Sequence, residues 1–197
     1  MMRRFRWLQW CAPGLGAALL WLATAAAGQS LAPRLAQCAA CHGADGNAQI
    51  KDFPSLAGQP RVFLENQLVM IREGMRDIPA MKGTLDGVSD ADIAALAQHY
   101  ASLPVKSTPG AQNTALFERG RQLASDMRCG ICHLPNYQGR EQMPRLAGQR
   151  EDYLLHSMRQ FRSNQAVGRD TLMAAALYGV SDQDLQAMAH FLARTPP

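Results

Sequence analysis

The sequence is most informative first in what it lacks. It has no apolar run of membrane-spanning length: the stretch from Ala12 to Ala27 is 16 residues, short of the roughly 20 that a helix needs to cross a bilayer. Tryptophan occurs only at Trp7, Trp10 and Trp21. No alternating pattern of apolar and polar residues long enough for a sheet appears, which leaves an all-α reading. Charge of one sign is also missing once the first 27 residues are set aside. Arg3, Arg4 and Arg6 leave with them, and 17 Lys and Arg then face 16 Asp and Glu, a net of +1. A basic nucleic-acid-binding surface is therefore not expected. Cysteine is sparse, and apart from Cys11 its four copies fall in two close pairs. In that arrangement they do not read as a disulfide framework.

The first 27 residues read as a secretory signal peptide: a basic start, an apolar middle from Leu15, and Ala25-Ala26-Ala27 as a cleavage site before Gly28. Retention as an anchor is the competing reading. Cys11 precedes the apolar run and is not placed for lipid attachment. Export to the periplasm follows from the leader, with at most a peripheral association with the membrane.

The cysteine pairs carry the chemistry. Cys38-Ala39-Ala40-Cys41-His42 and Cys129-Gly130-Ile131-Cys132-His133 both have the CxxCH form of c-type haem attachment. Two thiols one helical turn apart can each form a thioether to one vinyl group of a porphyrin, and the adjacent histidine supplies an axial iron ligand. One such motif could be a redox or zinc CxxC that happens to precede a histidine. Two copies, using all the cysteines outside the leader, point to two covalent haems.

The motifs belong to a longer repeat. Phe53-Pro54-Ser55-Leu56-Ala57-Gly58-Gln59 matches Met143-Pro144-Arg145-Leu146-Ala147-Gly148-Gln149, and Gly87-Val88-Ser89-Asp90 matches Gly179-Val180-Ser181-Asp182. Each copy predicts a helix through the CxxCH (Leu31 to Cys41; Thr114 to Cys132), a polar loop, and a middle helix (Arg61 to Glu73; Glu151 to Arg162). A second loop follows, carrying a methionine, and then a final helix opened by Ser89 or Ser181 as N-cap with acids behind it. Pro104 to Gly110 reads as a linker. The division is 28–104, 105–112 and 113–197. Each half is small enough that core stability is marginal, so the apoprotein is expected to fold poorly.

The sixth iron ligand is chosen by the duplication. Candidates in the first copy are Met70, Met75, Met81 and His99. In the second they are Met143, Met158, Met173, His156 and His190. Only Met81 and Met173 hold the same place in both copies, each eight residues before the capping serine. Met70, Met75, Met158 and Met188 are expected as core filler, and the three histidines as surface or core residues. A ligating histidine usually donates its other ring nitrogen to a carbonyl. The matched prolines Pro54 and Pro144 are the expected acceptors.

With these residues in view, the chain resembles the di-haem cytochrome c4 family over residues 30–197. The resemblance implies two class I cytochrome c domains related by a pseudo-twofold axis, His/Met-ligated haems, and periplasmic electron transfer that often feeds a terminal oxidase. It departs in following His133 with Leu134-Pro135-Asn136 where the first copy has Gly43-Ala44-Asp45, and in domain charge. Residues 28–104 carry a net −2 and residues 113–197 a net +2.

The expected function is that of an electron carrier between redox proteins, such as a donor dehydrogenase or cytochrome bc1-type complex and an acceptor oxidase, with no small-molecule substrate. The alternative is a cytochrome subunit of a flavoprotein sulfide dehydrogenase or a quinoprotein alcohol dehydrogenase. A di-haem peroxidase ranks last, because paired methionines leave no open iron and no motif supplies an acid–base group.

Overall fold

A computed structural model describes residues 31–107 and 110–197. The segment expected as a leader, with Cys11 and the tryptophans, lies outside the described residues. The first copy consists of α1 (Leu31–His42), α2 (Arg61–Arg72), a 3-10 turn (Pro79–Met81) and α3 (Asp90–Ser102). The second consists of α4 (Thr114–Asp126), α5 (Gly130–His133), α6 (Glu151–Arg162), α7 (Thr171–Leu177) and α8 (Asp182–Arg194). Among the described residues there is no strand beyond one isolated antiparallel bridge, Arg140 to Met143, and no helix long and apolar enough to cross a membrane.

The last helix of each copy starts where the sequence says it should. The Ser89 hydroxyl accepts from the Asp92 N–H at 3.1 Å, and Asp92 returns a bond to the Ser89 N–H at 3.4 Å. Ser181 accepts likewise from the Asp184 N–H at 3.1 Å. Each cap satisfies a donor that the helix start leaves unpaired. These two helices are the floors of the copies. The first helix and the middle helix of each copy pack on its last: α1 and α2 on α3, α4 and α6 on α8. Ile93, Leu96, Ala97 and Tyr100 are buried along α3, and Leu185, Met188, Ala189 and Leu192 along α8. In the second copy the ring of Phe191 receives the edges of both Phe117 and Tyr137, at 5.2 and 5.5 Å between centroids.

Two expectations need correction. The helix expected over Thr114 to Cys132 is broken: α4 stops at Asp126, Arg128 takes φ +56°, and a new turn, α5, carries Cys132 and His133. Neither methionine sits in open loop. Met81 ends a 3-10 turn opened by Pro79, and Met173 lies inside α7, which Asp170 caps by accepting from the Leu172 N–H. In the first copy the turn stops after Met81, where Lys82 takes ψ 126° and Gly83 φ +77°, so no longer helix forms there.

The linker residues are pinned at both ends. Asn47 accepts from the Lys106 N–H at 2.9 Å and donates to the Pro104 carbonyl at 3.1 Å. The Asn113 N–H donates to His190 Nε2 at 3.0 Å. The two copies also meet directly. Gly168 lies so close to the Met75 carbonyl that a Cβ there would fall 2.0 Å from its oxygen.

Candidate haem sites

His42 and His133 are both buried, at 7% and 4% exposure. Each places Nδ1 2.9 Å from a proline carbonyl, Pro54 for His42 and Pro144 for His133. A carbonyl can only accept, so Nδ1 carries the proton and Nε2 keeps its lone pair. Burial pushes both imidazoles below the ordinary histidine range, against the smaller opposing effect of the proline bond. The neutral ring is the metal-binding form. His133 Nε2 is buried with no protein partner, a lone pair that an iron atom would satisfy.

The cysteines lie on the turn before each histidine. Cys38, Cys41 and Cys129 are half-buried and Cys132 is exposed. Burial pushes the Cys38 and Cys129 thiols up, with a bond from the Tyr100 side chain partly opposing it at Cys38. Uncharged sulfur in an apolar wall suits thioether attachment. Cys38 and Met81 pack against one apolar cluster, built on Leu85, Val88, Ile93 and Leu96. Cys129 and Met173 likewise pack against one cluster, that of Leu154, Met158, Leu185 and Met188. The residues present therefore fit a haem held at each CxxCH.

The remaining candidates are placed elsewhere. His190 is buried with both nitrogens occupied: Nε2 accepts from Asn113, and Nδ1 donates to Glu151 at 3.1 Å. His99 is half-buried edge-on to Tyr100, and His156 is exposed. Met158 and Met188 are core residues and Met70 is half-buried. Met75, expected as core filler, is 52% exposed: it follows the end of α2, where the chain turns away and only its backbone is packed.

Sequence reasoning missed the contact between the copies. Gln59 and Gln149, the last residues of the matched segments, are 4% and 2% exposed. The Gln59 amide accepts from the Arg145 N–H at 2.9 Å and donates to the Arg145 carbonyl at 3.0 Å. Gln149 does the same to Ser55, at 2.8 and 2.9 Å. Arg145 and Ser55 are counterparts in the repeat, so the bonding is reciprocal. The Arg145 side chain is buried in the same seam, donating to the Ala57 carbonyl at 2.9 Å and to the Ala147 carbonyl. Burial lowers its pKa to about 10, so it stays charged at neutral pH. The signal was present in the sequence: a glutamine retained at the same place in both copies.

Two helical copies, each with thiols and a carbonyl-tied histidine on one wall, define a c-type cytochrome made of tandem domains. Its relatives agree. Residues 117–196 match the family model for cytochrome c, and residues 23–99 match that for cytochrome c oxidase, cbb3-type, subunit III. Cytochrome c4 of Pseudomonas aeruginosa is 36% identical over 178 residues, 85% of this chain and 87% of its own. The thiosulfate dehydrogenase electron acceptor of Thiomonas intermedia is 33% identical over 190 residues, 91% of this chain and 87% of its own. The crystal structure of reduced recombinant cytochrome c4 from Pseudomonas stutzeri matches with a TM-score of 0.76 at 30% identity, over 85% of this chain and 97% of that one. The chain belongs to the cytochrome c4 family. It is an electron carrier with two covalently bound haem c groups.

Proposed function

We propose that the protein carries single electrons in the periplasm through two His/Met sites, His42 with Met81 and His133 with Met173. Haem c supplies a one-electron iron couple at each. Cys38 and Cys41, and Cys129 and Cys132, fix it covalently. Pro54 and Pro144 hold the histidines in one tautomer and orientation. Thioether sulfur from Met81 and Met173 would favour the ferrous state and raise the potential. The observation that carries this reading is the duplicated tie from histidine Nδ1 to a proline carbonyl at 2.9 Å, which leaves each Nε2 free to ligate.

The acceptor is proposed to be a terminal oxidase. A dehydrogenase donor is supported by the relative named as a thiosulfate dehydrogenase electron acceptor. Co-purification from native membranes distinguishes a free carrier from a dehydrogenase subunit. The chain is proposed to mature near Gly28, which N-terminal sequencing of periplasmic protein tests.

The ligand reading has its own test. Intact mass should exceed that of the polypeptide by two haems, and the ferric protein should show the far-red sulfur–iron band. Met81→Ala should let carbon monoxide bind rapidly at one haem and Met173→Ala at the other, each losing about half the band. Rapid carbon monoxide binding by the wild-type protein would sink the carrier reading.

A further inference from the structure

The peptide group joining Pro54 to Ser55 is gripped from both domains. Its carbonyl accepts the Nδ1–H of His42 at 2.9 Å, and its N–H donates to Gln149 Oε1 at 2.8 Å. The peptide group joining Pro144 to Arg145 repeats the arrangement. Its carbonyl accepts from His133 at 2.9 Å, and its N–H donates to Gln59 Oε1 at 2.9 Å. Each glutamine fixes the next peptide as well, by donating Nε2 to the carbonyl of Ser55 or Arg145. Gln149 is held in turn by the Arg150 N–H at 3.0 Å. Ser55, Gln59, Arg145 and Gln149 are all buried, so water does not compete for these bonds.

A peptide group is a resonant unit. An acceptor on its N–H pulls on the proton, pushes nitrogen's lone pair further towards the carbonyl and leaves the oxygen more negative, so hydrogen bonds on either side of one peptide reinforce each other. A stronger acceptor at histidine Nδ1 makes Nε2 a more basic ligand, and a more basic ligand favours ferric over ferrous iron. The glutamine also fixes where the proline carbonyl lies, and hence how the imidazole is aimed.

We propose that Gln149 is a positioning residue for His42 and Gln59 for His133, each setting the redox potential of the site in the opposite domain. This rests on the reading of the two histidines as iron ligands. The domains are coupled through two peptide planes, and neither site has its native potential unless the other domain is docked.

The test uses full-length holoprotein and the variants Gln149→Met, Gln149→Glu and Gln59→Met. Methionine keeps the length and removes both the donor and the acceptor. Glutamate keeps an acceptor and makes it stronger. The midpoints of the two haems are followed by paramagnetic NMR, which distinguishes the sites through their own cysteine protons, together with solvent exchange of each histidine Nδ1 proton. Gln149→Met should raise the midpoint of the first-domain haem and speed exchange at His42, with the second-domain haem unmoved. Gln149→Glu should lower the first-domain midpoint. Gln59→Met should act only on the second-domain haem and His133. Equal shifts at both haems, a shift confined to the mutated domain, or no shift overturns the proposal. The mass and far-red band of the wild-type protein decide the ligand reading separately.

Discussion

Ser55 and Arg145 occupy the same place in the two copies, and their backbones are held in the same way by a glutamine from across the seam. Their side chains do opposite things. The Ser55 hydroxyl turns inward and accepts from the Ala48 N–H at 3.1 Å within its own domain. The Arg145 guanidinium reaches across to the Ala57 carbonyl, bonds the Ala147 carbonyl of its own domain, and buries a positive charge in the seam between the copies. Duplication has preserved the main-chain scheme that orients the histidines and left the side chains free to differ. A buried cation disfavours ferric iron, and Ser55 supplies no counterpart, so whichever site the guanidinium lies nearer should have the higher potential of the two.

The largest effect should come from removing that difference. Arg145→Ser gives both copies the same residue, and the two midpoints, resolved by spectroelectrochemistry, should converge through a fall in the higher one. Removing the guanidinium also strips a donor from two buried carbonyls, at a cost on the order of 1–3 kcal/mol for each left unpaired. A gap that stays the same or widens would show that the asymmetry has another origin.

The residue after each histidine gives a second contrast. Gly43 takes φ +83°, and a Cβ there would fall 2.4 Å from the Asn47 oxygen. Leu134 occupies the matching place at φ +67°, ψ 155°, a region that glycine adopts freely and other residues enter at about 1–3 kcal/mol. Gly43→Ala should destabilise the first domain by about that amount or more, since the clash adds to it. Leu134→Gly should stabilise the second by about 1 kcal/mol, less whatever packing its half-buried side chain provides. Thermal melts of the holoprotein read both, and a loss on Leu134→Gly would mean that packing outweighs strain.

The smallest contrast is in the caps. Ser89→Ala removes the bond from the Asp92 N–H and the hydroxyl's own bond to the Asp92 carboxylate, and Ser181→Ala removes the bond from the Asp184 N–H. Each should cost about 1 kcal/mol. The first-domain change should be the larger in chemical denaturation.

What could be read from the sequence follows from how local each signal is. Attachment motifs, capping serines and middle helices are set by residues within a turn or two, and they fall where the pattern puts them. The break at Arg128 was not legible, because the periodicity of α4 runs on past it and only a positive φ interrupts it. Met75 was misplaced because an apolar residue just past a helix end reads as part of its buried stripe. The Gln59 and Gln149 clamps bond to backbone, which no composition or spacing encodes. They were visible only as glutamines retained across the repeat.

The pinned linker has a thermodynamic consequence. Lys106 is fixed to one domain and Asn113 to the other, so the two faces never separate by more than a short tether. Short tethers give effective concentrations in the millimolar range. An interface that two separate chains would form with a dissociation constant of about 1 mM, or roughly −4 kcal/mol, is then already half closed within one chain, and each further hydrogen bond shifts the balance towards docking. A seam built mostly of backbone and amide bonds can thus hold two redox sites in register without a large apolar interface.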